Sequence, residues 1–232
     1  MKKIGEYWVP DVDTFWFKNM RKTRKNYENG GHGTQLHHLT EAIDAMRKLA
    51  GADRLGQGIA IDAGANVGAY ARHMAAHFAH VNAFEPAQDT FDCLARNIDD
   101  WGLCDKITAH QKALSNKSEG VSMGTPGLFR RSISREVSGA GDIPAVSLDA
   151  LNLGAVLFLK LDVEGYEMKT LQGATEMVER ERPFVMMEMK ERKIAKGTAD
   201  MAAHEFLTER GYTVCAKLGT PFVDWLYAPP TP

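Results

Sequence analysis

The stretch from Gly58 to Gly68, which reads GIAIDAGANVG, constrains the fold of this chain more than any other segment. It opens at Ile59 to Ile61 with a short apolar run that lacks a helical stripe, as in a strand buried on both faces. Apolar or small side chains then recur at helical spacing as far as Phe78, which predicts a helix lying on a sheet. Strand, glycine turn and helix together predict the first half of a doubly wound, nucleotide-type site, where a helix N-terminus favours a negative charge.

The same alternation of apolar runs and amphipathic segments continues along the chain. Further strands are predicted at residues 80–84, 106–111, 156–162, 184–188, 212–215 and 222–227, and helices at 34–49, 89–97, 166–173 and 198–210. This order predicts an α/β fold: a doubly wound, mostly parallel seven-stranded sheet with an antiparallel strand near its edge and helices on both faces. Ligands of such sheets bind beyond the carboxyl ends of the strands.

The composition is that of an ordinary globular protein, with 44% hydrophobic and 25% charged residues among 232. A formal net charge of −2 gives no basic field that would attract nucleic acid or a membrane surface. Three cysteines, without metal-type spacing, favour reduced thiols rather than a disulfide framework. Because no apolar run approaches the length of a membrane span or a signal sequence, we expect a soluble, cytoplasmic protein without nucleic-acid or membrane partners.

Two regions depart from the alternating pattern. Residues 1–50 are predicted to form an aromatic and then helical extension that packs on a ligand-binding domain at 51–232, and its aromatic segment is a candidate contact for a homo-oligomer. Residues 116–145, rich in glycine and serine, are predicted to be a substrate-facing insertion with short antiparallel strands. The insertion's arginines, Arg130, Arg131 and Arg135, and a basic run at 18–25 give a weak preference for an anionic substrate.

The turn after the first strand differs from a dinucleotide-binding turn. That fingerprint is G-x-G-x-x-G with an acidic residue about twenty positions on. Here only Gly64 and Gly68 are present, so the triplet that holds a pyrophosphate is lacking, whereas the acidic residue is present as Glu85. A carboxylate there accepts hydrogen bonds from ribose hydroxyls and repels a 2′-phosphate. S-adenosylmethionine, which has a ribose but no pyrophosphate, fits both observations, with its carboxylate at the turn N–H groups and its ammonium near Asp62.

The predicted cofactor-binding set follows from this assignment. It consists of Asp62, Gly64, Ala65, Asn66, Gly68, Glu85, Pro86, Ala113 and Asp162. Asn66 has the alternative role of capping the first helix. His73 and His77 lie four apart on that helix, but without an acidic ligand on the same face they predict no metal site.

Several segments of the chain resemble the FkbM family of methyltransferases. The hallmark is KLDVEGYE at 160–167, and the resemblance extends to AIDAGANVGAYA and the FEP that follows it, VSLD at 146–149, PFVMMEMK at 183–190 and DWL at 224–226. It covers roughly residues 55–228 in the family's order. The resemblance implies a class I, Rossmann-like, S-adenosylmethionine-dependent methyltransferase. Because known members mainly methylate hydroxyl groups, it also implies O-methylation of a small molecule or a carbohydrate.

The predicted catalytic residues are Asp162, Glu164 and Glu188, because an alcohol becomes a good nucleophile only when its proton leaves. The period of a strand places Lys160, Asp162 and Glu164 on one side, provided that the chain stays extended that far. Glu164 has the alternative role of capping the next helix. Lys160 is expected to pair with one of the acids, and a buried structural ion pair remains an alternative for it.

Three other functions are compatible with parts of this pattern. An inactive relative would keep the cofactor fold as a binding module. A nucleic-acid N-methyltransferase usually carries Asp/Asn-Pro-Pro-aromatic after the fourth strand, and this chain has DVEG there. An NAD-dependent dehydrogenase needs the missing glycine triplet. The sequence therefore favours the O-methyltransferase.

Overall fold

The computed structural model describes residues 1–11, 36–118, 120–123, 137–139, 141–189, 200–219 and 224–231. Its strands are β1 (Lys2–Ile4), β2 (Tyr7–Val9), β3 (Ile59–Ala63), β4 (His80–Phe84), β5 (Ile107–His110), β6 (Ala113–Leu114), β7 (Val121–Met123), β8 (Val137–Gly139), β9 (Ala145–Val146), β10 (Val156–Leu161), β11 (Phe184–Glu188), β12 (Thr213–Leu218) and β13 (Asp224–Ala228). Its helices are α1 (Leu36–Ala50), α2 (Ala52–Gln57), α3 (Ala69–Ala75), α4 (Gln88–Asp100), α5 (Leu148–Leu151), α6 (Glu167–Gln172), α7 (Thr175–Glu181) and α8 (Asp200–Glu209).

Seven strands form the central sheet, in the order β12-β13-β11-β10-β3-β4-β5. The five strands from β11 to β5 in this order pair in parallel, and β13 pairs antiparallel with both β11 and β12. The strand order reverses between β3 and β10, which is where such sheets bind ligands. The predicted fold class, including the antiparallel strand near the edge, is confirmed.

The long apolar runs gave accurate strand predictions. β4 and β11 have the predicted bounds, and every residue of β10 is buried. Such a run is what a central parallel strand needs, because helices cover both of its faces. The alternation places Phe158 and Met186 in one core, with α1 and α3, and Leu159 and Met187 in the other, with α6, α7 and α8.

Three short helices were not predicted: α2, α5 and α7 have six, four and seven residues. Segments of one or two turns are too short to show a helical period in the sequence. The predicted helix at 166–173 is α6 alone, which ends at Gln172 with Gly173 as its C-cap. A Cβ at Gly173 would overlap the carbonyl oxygen of Ser115, so a neighbouring segment passes against the backbone where the helix stops.

The N-terminal strands β1 and β2 form an antiparallel pair that packs on α4. Tyr7 and Val9 are buried together with Val67 of the glycine turn and Cys93 of α4. Asn97 of α4 is fully buried and joins these three parts. Its Oδ1 accepts from the N–H of Trp8, and its Nδ2 donates to the carbonyl oxygens of Trp8 and Val67.

Part of the predicted insertion is described. β7 and β8 pair antiparallel, as expected of this region, and β6 and β9 form a short parallel pair beside them. The three arginines of the insertion and the basic run at 18–25 lie outside the described residues, as do Phe15, Trp16 and Phe17. Among the helices described, none combines the length and the apolar character that crossing a membrane requires.

Candidate active site

The glycine turn after β3 contacts the segment that follows β10. Gly64 and Gly68 have left-handed backbones, with φ of 80° and 92°, which glycine adopts without strain. A Cβ at Gly64 would overlap the carbonyl oxygen of Asp162. Only glycine fits at this contact. The contact places the glycine turn directly against the KLDVEGYE segment, the other main motif of the sequence.

Glu85 holds the turn from the end of β4. Its Oε2 accepts from the N–H of Asn66 at 3.0 Å, and its Oε1 accepts from the N–H of Ala87 at 2.9 Å. Burial raises the pKa of Glu85 to about 7, although the two N–H donors act in the opposite direction. Each carboxylate oxygen keeps a second lone pair, so Glu85 can hold the turn and also accept a hydrogen bond from a ligand.

The N–H groups of the turn already have acceptors within the protein. Those of Gly64 and Ala65 donate to the carbonyl oxygen of Phe84 at 3.0 and 2.9 Å, and that of Val67 donates to Oδ1 of Asn66 at 2.7 Å. This corrects the expectation that these groups are free to receive a carboxylate, because buried N–H groups need an acceptor even without a ligand. The alternative role of Asn66 is corrected too, since no side chain caps α3.

Lys160 connects the two motifs. Its Nζ lies 3.2 Å from Oδ1 of Asp62, 3.5 Å from Oδ2 of Asp162 and 3.3 Å from the carbonyl oxygen of Gly64. It also lies over the ring of Tyr70. Burial opposes the charge of Lys160, but the two carboxylates hold its pKa above the usual range. The predicted pairing of Lys160 with a neighbouring acid is confirmed.

Asp62 is completely buried, with 0% of its surface exposed. The Lys160 ammonium is at ion-pair distance from Oδ1, and neither Asp62 oxygen meets a donor in full hydrogen-bond geometry among the described residues. The ammonium group of Lys160 therefore lies beside Asp62 in the protein without a ligand. Two carboxylate oxygens remain without a donor at the base of the turn.

Three carboxylates form a row across the ends of β10, β11 and β13. Leu161 pairs with Met187, so the next residue, Asp162, lies opposite Glu188, and Glu188 pairs with Asp224. Laterally paired residues point to the same face of a sheet. We call Asp162, Glu188 and Asp224 the carboxylate row.

Side chains from α1 and α3 reach the carboxylate row. Nδ1 of His38, on α1, lies 2.6 Å from Oδ2 of Asp224. Burial raises the pKa of the Tyr70 hydroxyl, on α3, and the charges of Asp224 and Asp162 raise it further. The row therefore lies on the face of the sheet that α1 and α3 cover.

Glu164 does not extend the carboxylate row. β10 ends at Leu161, and Glu164 has a left-handed backbone with φ of 51° in the turn that follows. The condition that the chain stay extended to Glu164 is therefore not met. Glu164 does not cap the next helix either, because α6 has no side-chain cap, and the N–H of Gly165 donates instead to Oε1 of Glu167 at 3.2 Å.

Two other predicted cofactor residues lie beside this site. Pro86 is half-buried directly after Glu85. Ala113 begins β6, is buried, and donates its N–H to the carbonyl oxygen of Pro144 at 2.9 Å. Their contacts with a cofactor stay a prediction.

A family model described as the methyltransferase FkbM domain matches residues 62–214. The chain belongs to the FkbM methyltransferase family. No curated protein matches this chain at a significant level.

Solved methyltransferase structures share the fold of this chain. Methyltransferase FkbM from Methylobacillus flagellatus KT matches with a TM-score of 0.52 and 16% identity over 95% of this chain, which spans 63% of that longer chain. An O-methyltransferase from Bacillus cereus in complex with SAH matches with a TM-score of 0.53 and 12% identity, over 96% of this chain and 93% of that chain. Precorrin-6y C5,15-methyltransferase from Geobacter metallireducens GS-15 matches with a TM-score of 0.52 and 13% identity, over 97% of this chain and 95% of that chain. At these identities the likeness shows the fold.

Three residues at this site received no role from the sequence: His38, Tyr70 and Asp224. Asp224 stood in the DWL segment, and its role became visible only through its strand pairing with Glu188. His38 gave a signal in principle, since it is a buried polar residue of α1 between the apolar Leu36 and Leu39. Both His38 and Asp224 lie outside the span that the family model matches.

Proposed function

We propose that this member of the FkbM family uses S-adenosylmethionine to methylate a hydroxyl group on a small molecule or a carbohydrate. The observation that carries the proposal is Glu85, a buried carboxylate held on the glycine turn where the strand order reverses. A carboxylate at that place accepts hydrogen bonds from the hydroxyls of a ribose. The absence of a glycine triplet disfavours binding of a pyrophosphate. The SAH bound to the Bacillus cereus O-methyltransferase, which has the same fold, supports the same cofactor.

The residues at the turn fit this cofactor. Glu85 has free lone pairs for the ribose, and the two Asp62 oxygens lack hydrogen-bond donors among the described residues. Gly64 takes the left-handed backbone that shapes the turn and lets the segment at Asp162 lie against it. When bound, the cofactor supplies a methyl carbon that its sulfonium already activates.

The carboxylate row supports the transfer itself. Asp162 is 44% exposed and is held by Lys160 at one end of the row, and Glu188 lies beside it. We assign Asp162 to the cofactor ammonium or the acceptor hydroxyl, and Glu188 to the acceptor. With α1 and α3 covering this face, the acceptor oxygen is positioned and partly shielded from water, which an in-line displacement requires.

Binding calorimetry with S-adenosylhomocysteine and with NAD tests the cofactor assignment. Glu85→Gln should weaken the affinity for S-adenosylhomocysteine about tenfold, because a charge-assisted hydrogen bond to the ribose is lost. Glu205→Gln, on the exposed side of α8, is the matched control and should bind like the wild type. Affinity for NAD without affinity for S-adenosylhomocysteine would contradict the assignment.

Methyl transfer is tested with tritiated S-adenosylmethionine and a panel of alcohols, phenols, sugars and amines. We expect labelled methyl ethers. Label on nitrogen alone would contradict O-methylation. Binding of the cofactor with no labelled product from any acceptor would instead support an inactive cofactor-binding module.

A further inference from the structure

His38 and Asp224 form a buried pair at the far end of the carboxylate row. His38 Nδ1 lies 2.6 Å from Asp224 Oδ2, and the two side chains are 6% and 14% exposed. A carboxylate can only accept, so Nδ1 of His38 carries the proton and donates it to Oδ2. The pair joins α1 to the first residue of β13 and fixes the orientation of the Asp224 carboxylate.

The imidazole of His38 is itself held in place by backbone. A Cβ at Gly219 would overlap Nε2 and Cε1 of His38, and Gly219 has a φ of 81° that suits glycine. The edge of the ring that carries Nε2 therefore packs on the chain after β12. This position suits a group that holds Asp224 better than one that contacts an acceptor.

Asp224 differs from Asp162, the other end of the row. Asp162 is more exposed and has the Lys160 ammonium 3.5 Å away. Asp224 is largely buried, and only its Oδ2 is held by His38. Burial raises the pKa of Asp224, while the His38 hydrogen bond acts in the opposite direction. A carboxylate with a raised proton affinity is the better general base near neutral pH.

We propose that Asp224 is the catalytic base that takes the proton from the acceptor hydroxyl, and that His38 is the positioning residue that holds it. The inference rests on the proposed O-methylation. As the acceptor oxygen forms its bond to the methyl carbon, the carbon–sulfur bond breaks and its electron pair goes to sulfur. The hydroxyl proton passes to Oδ1 of Asp224, and S-adenosylhomocysteine and the methyl ether leave.

Asp224→Asn is the direct test, since the amide oxygen still accepts from His38 but the side chain no longer takes a proton. With tritiated S-adenosylmethionine and an acceptor from the panel above, kcat should fall about 10²-fold or more. The affinity for S-adenosylhomocysteine should stay within about twofold of the wild type, because the loss lies in the transfer step. A kcat above about one third of the wild-type value, or an equal loss of affinity, would overturn the assignment.

The pH dependence of kcat shows whether Asp224 acts as a base or has only a structural role. A base works only when deprotonated, so wild-type kcat should fall as pH decreases through the pKa of Asp224, and this limb should be absent in Asp224→Asn. Several charged or titratable groups face Asp224 from the elements around it: His38 of α1, Tyr70 of α3, Lys160 and Asp162 at β10, and Glu188 of β11. Retention of the acidic limb in Asp224→Asn would assign it to one of these groups and overturn the proposal.

Substitutions of His38 test the positioning role. In His38→Asn the amide Nδ2 can replace Nδ1 as donor, so kcat should stay within about threefold of the wild type, whereas His38→Leu should lose about tenfold. If His38→Asn loses as much as Asp224→Asn, the imidazole is the base and the proposal fails.

Asp149→Asn is the matched control for stability. Asp149 accepts from the N–H groups of Glu176 and Met177 at 3.1 and 2.8 Å on the other face of the sheet. This variant should lower the melting temperature without lowering kcat. A wild type that binds no S-adenosylhomocysteine or methylates no hydroxyl would overturn the proposed function and the inference with it. An active wild type with an equally active Asp224→Asn would overturn the inference alone.

Discussion

At the scale of single residues, Lys160 is a buried cation between two carboxylates. It contacts Asp62, which is completely buried, and Asp162, which is partly exposed. Removing the ammonium would leave the Asp62 charge in the interior without a counter-ion. Breaking a buried pair from one side costs about 3–5 kcal/mol, whereas removing both charges costs much less.

Lys160→Met should therefore lower the free energy of unfolding by about 3–5 kcal/mol. The double variant Lys160→Met/Asp62→Asn should recover most of that loss, because no uncompensated charge stays buried. Urea unfolding of the wild type, both single variants and the double variant measures the coupling. Additive effects of the two substitutions would contradict the buried pair.

Glu85 couples stability to pH. Burial raises its pKa from 4.5 to about 7, so between these pH values the folded protein keeps a proton that the unfolded chain releases. The contribution of Glu85 to stability is thus greatest below pH 4.5 and is lost as pH rises to about 7, a difference of about 3 kcal/mol. Glu85→Gln should lack this loss. In urea unfolding from pH 4.5 to 7.5, the free energy of unfolding of the variant should increase relative to that of the wild type as pH rises. The same pH dependence in both proteins would contradict the raised pKa.

At the scale of elements, the N-terminal strand pair supports the glycine turn. Asn97 of α4 bonds to the backbone of β2 and to the turn residue Val67, while Tyr7 and Val9 cover Val67 from outside. Gly68 packs closely on Leu94 of α4. The turn is therefore held between α4 and the strand pair before any ligand binds.

Asn97→Ala should destabilise the protein by about 3 kcal/mol, because it leaves buried carbonyl and N–H groups of the backbone without partners. It should also weaken binding of S-adenosylhomocysteine, since the turn loses one of its supports. Asn116→Ala is the matched control, because Asn116 is exposed and its side chain bonds only to Gln172 and the neighbouring Ser115 among the described residues. Unfolding and binding measurements on both variants test this role, and an Asn97→Ala protein that behaves like the control would contradict it.

At the scale of the whole molecule, the sequence predicted the central sheet, but it predicted only part of the acceptor side of the site. The runs that became β10 and β11 are apolar apart from Lys160 and Glu188, so the sequence marks them as central strands. Glu85 and Asp162 follow such runs directly, and their placement at the ends of strands came from local sequence alone. The contact of Gly64 with Asp162 depends on the pairing of β3 with β10, which no single segment encodes.

The pair of His38 and Asp224 shows the limit of the sequence. These residues are 186 positions apart and meet only because α1 covers the antiparallel strand β13. The predicted position of Glu164 was wrong for a local reason. Placing it on the same side as Lys160 and Asp162 assumed an extended chain, but β10 ends at Leu161 and Glu164 has a left-handed backbone. Local patterns thus gave the strands and their ends, and long-range packing decided which side chains share the site.

A crystal structure with S-adenosylhomocysteine bound would show directly whether Glu85 and the carboxylate row form one site. We expect the ribose hydroxyls within hydrogen-bond distance of the Glu85 carboxylate, and the sulfur facing the row of Asp162, Glu188 and Asp224. An adenosine that lies away from Glu85, or a sulfur that faces away from the carboxylate row, would contradict this expectation.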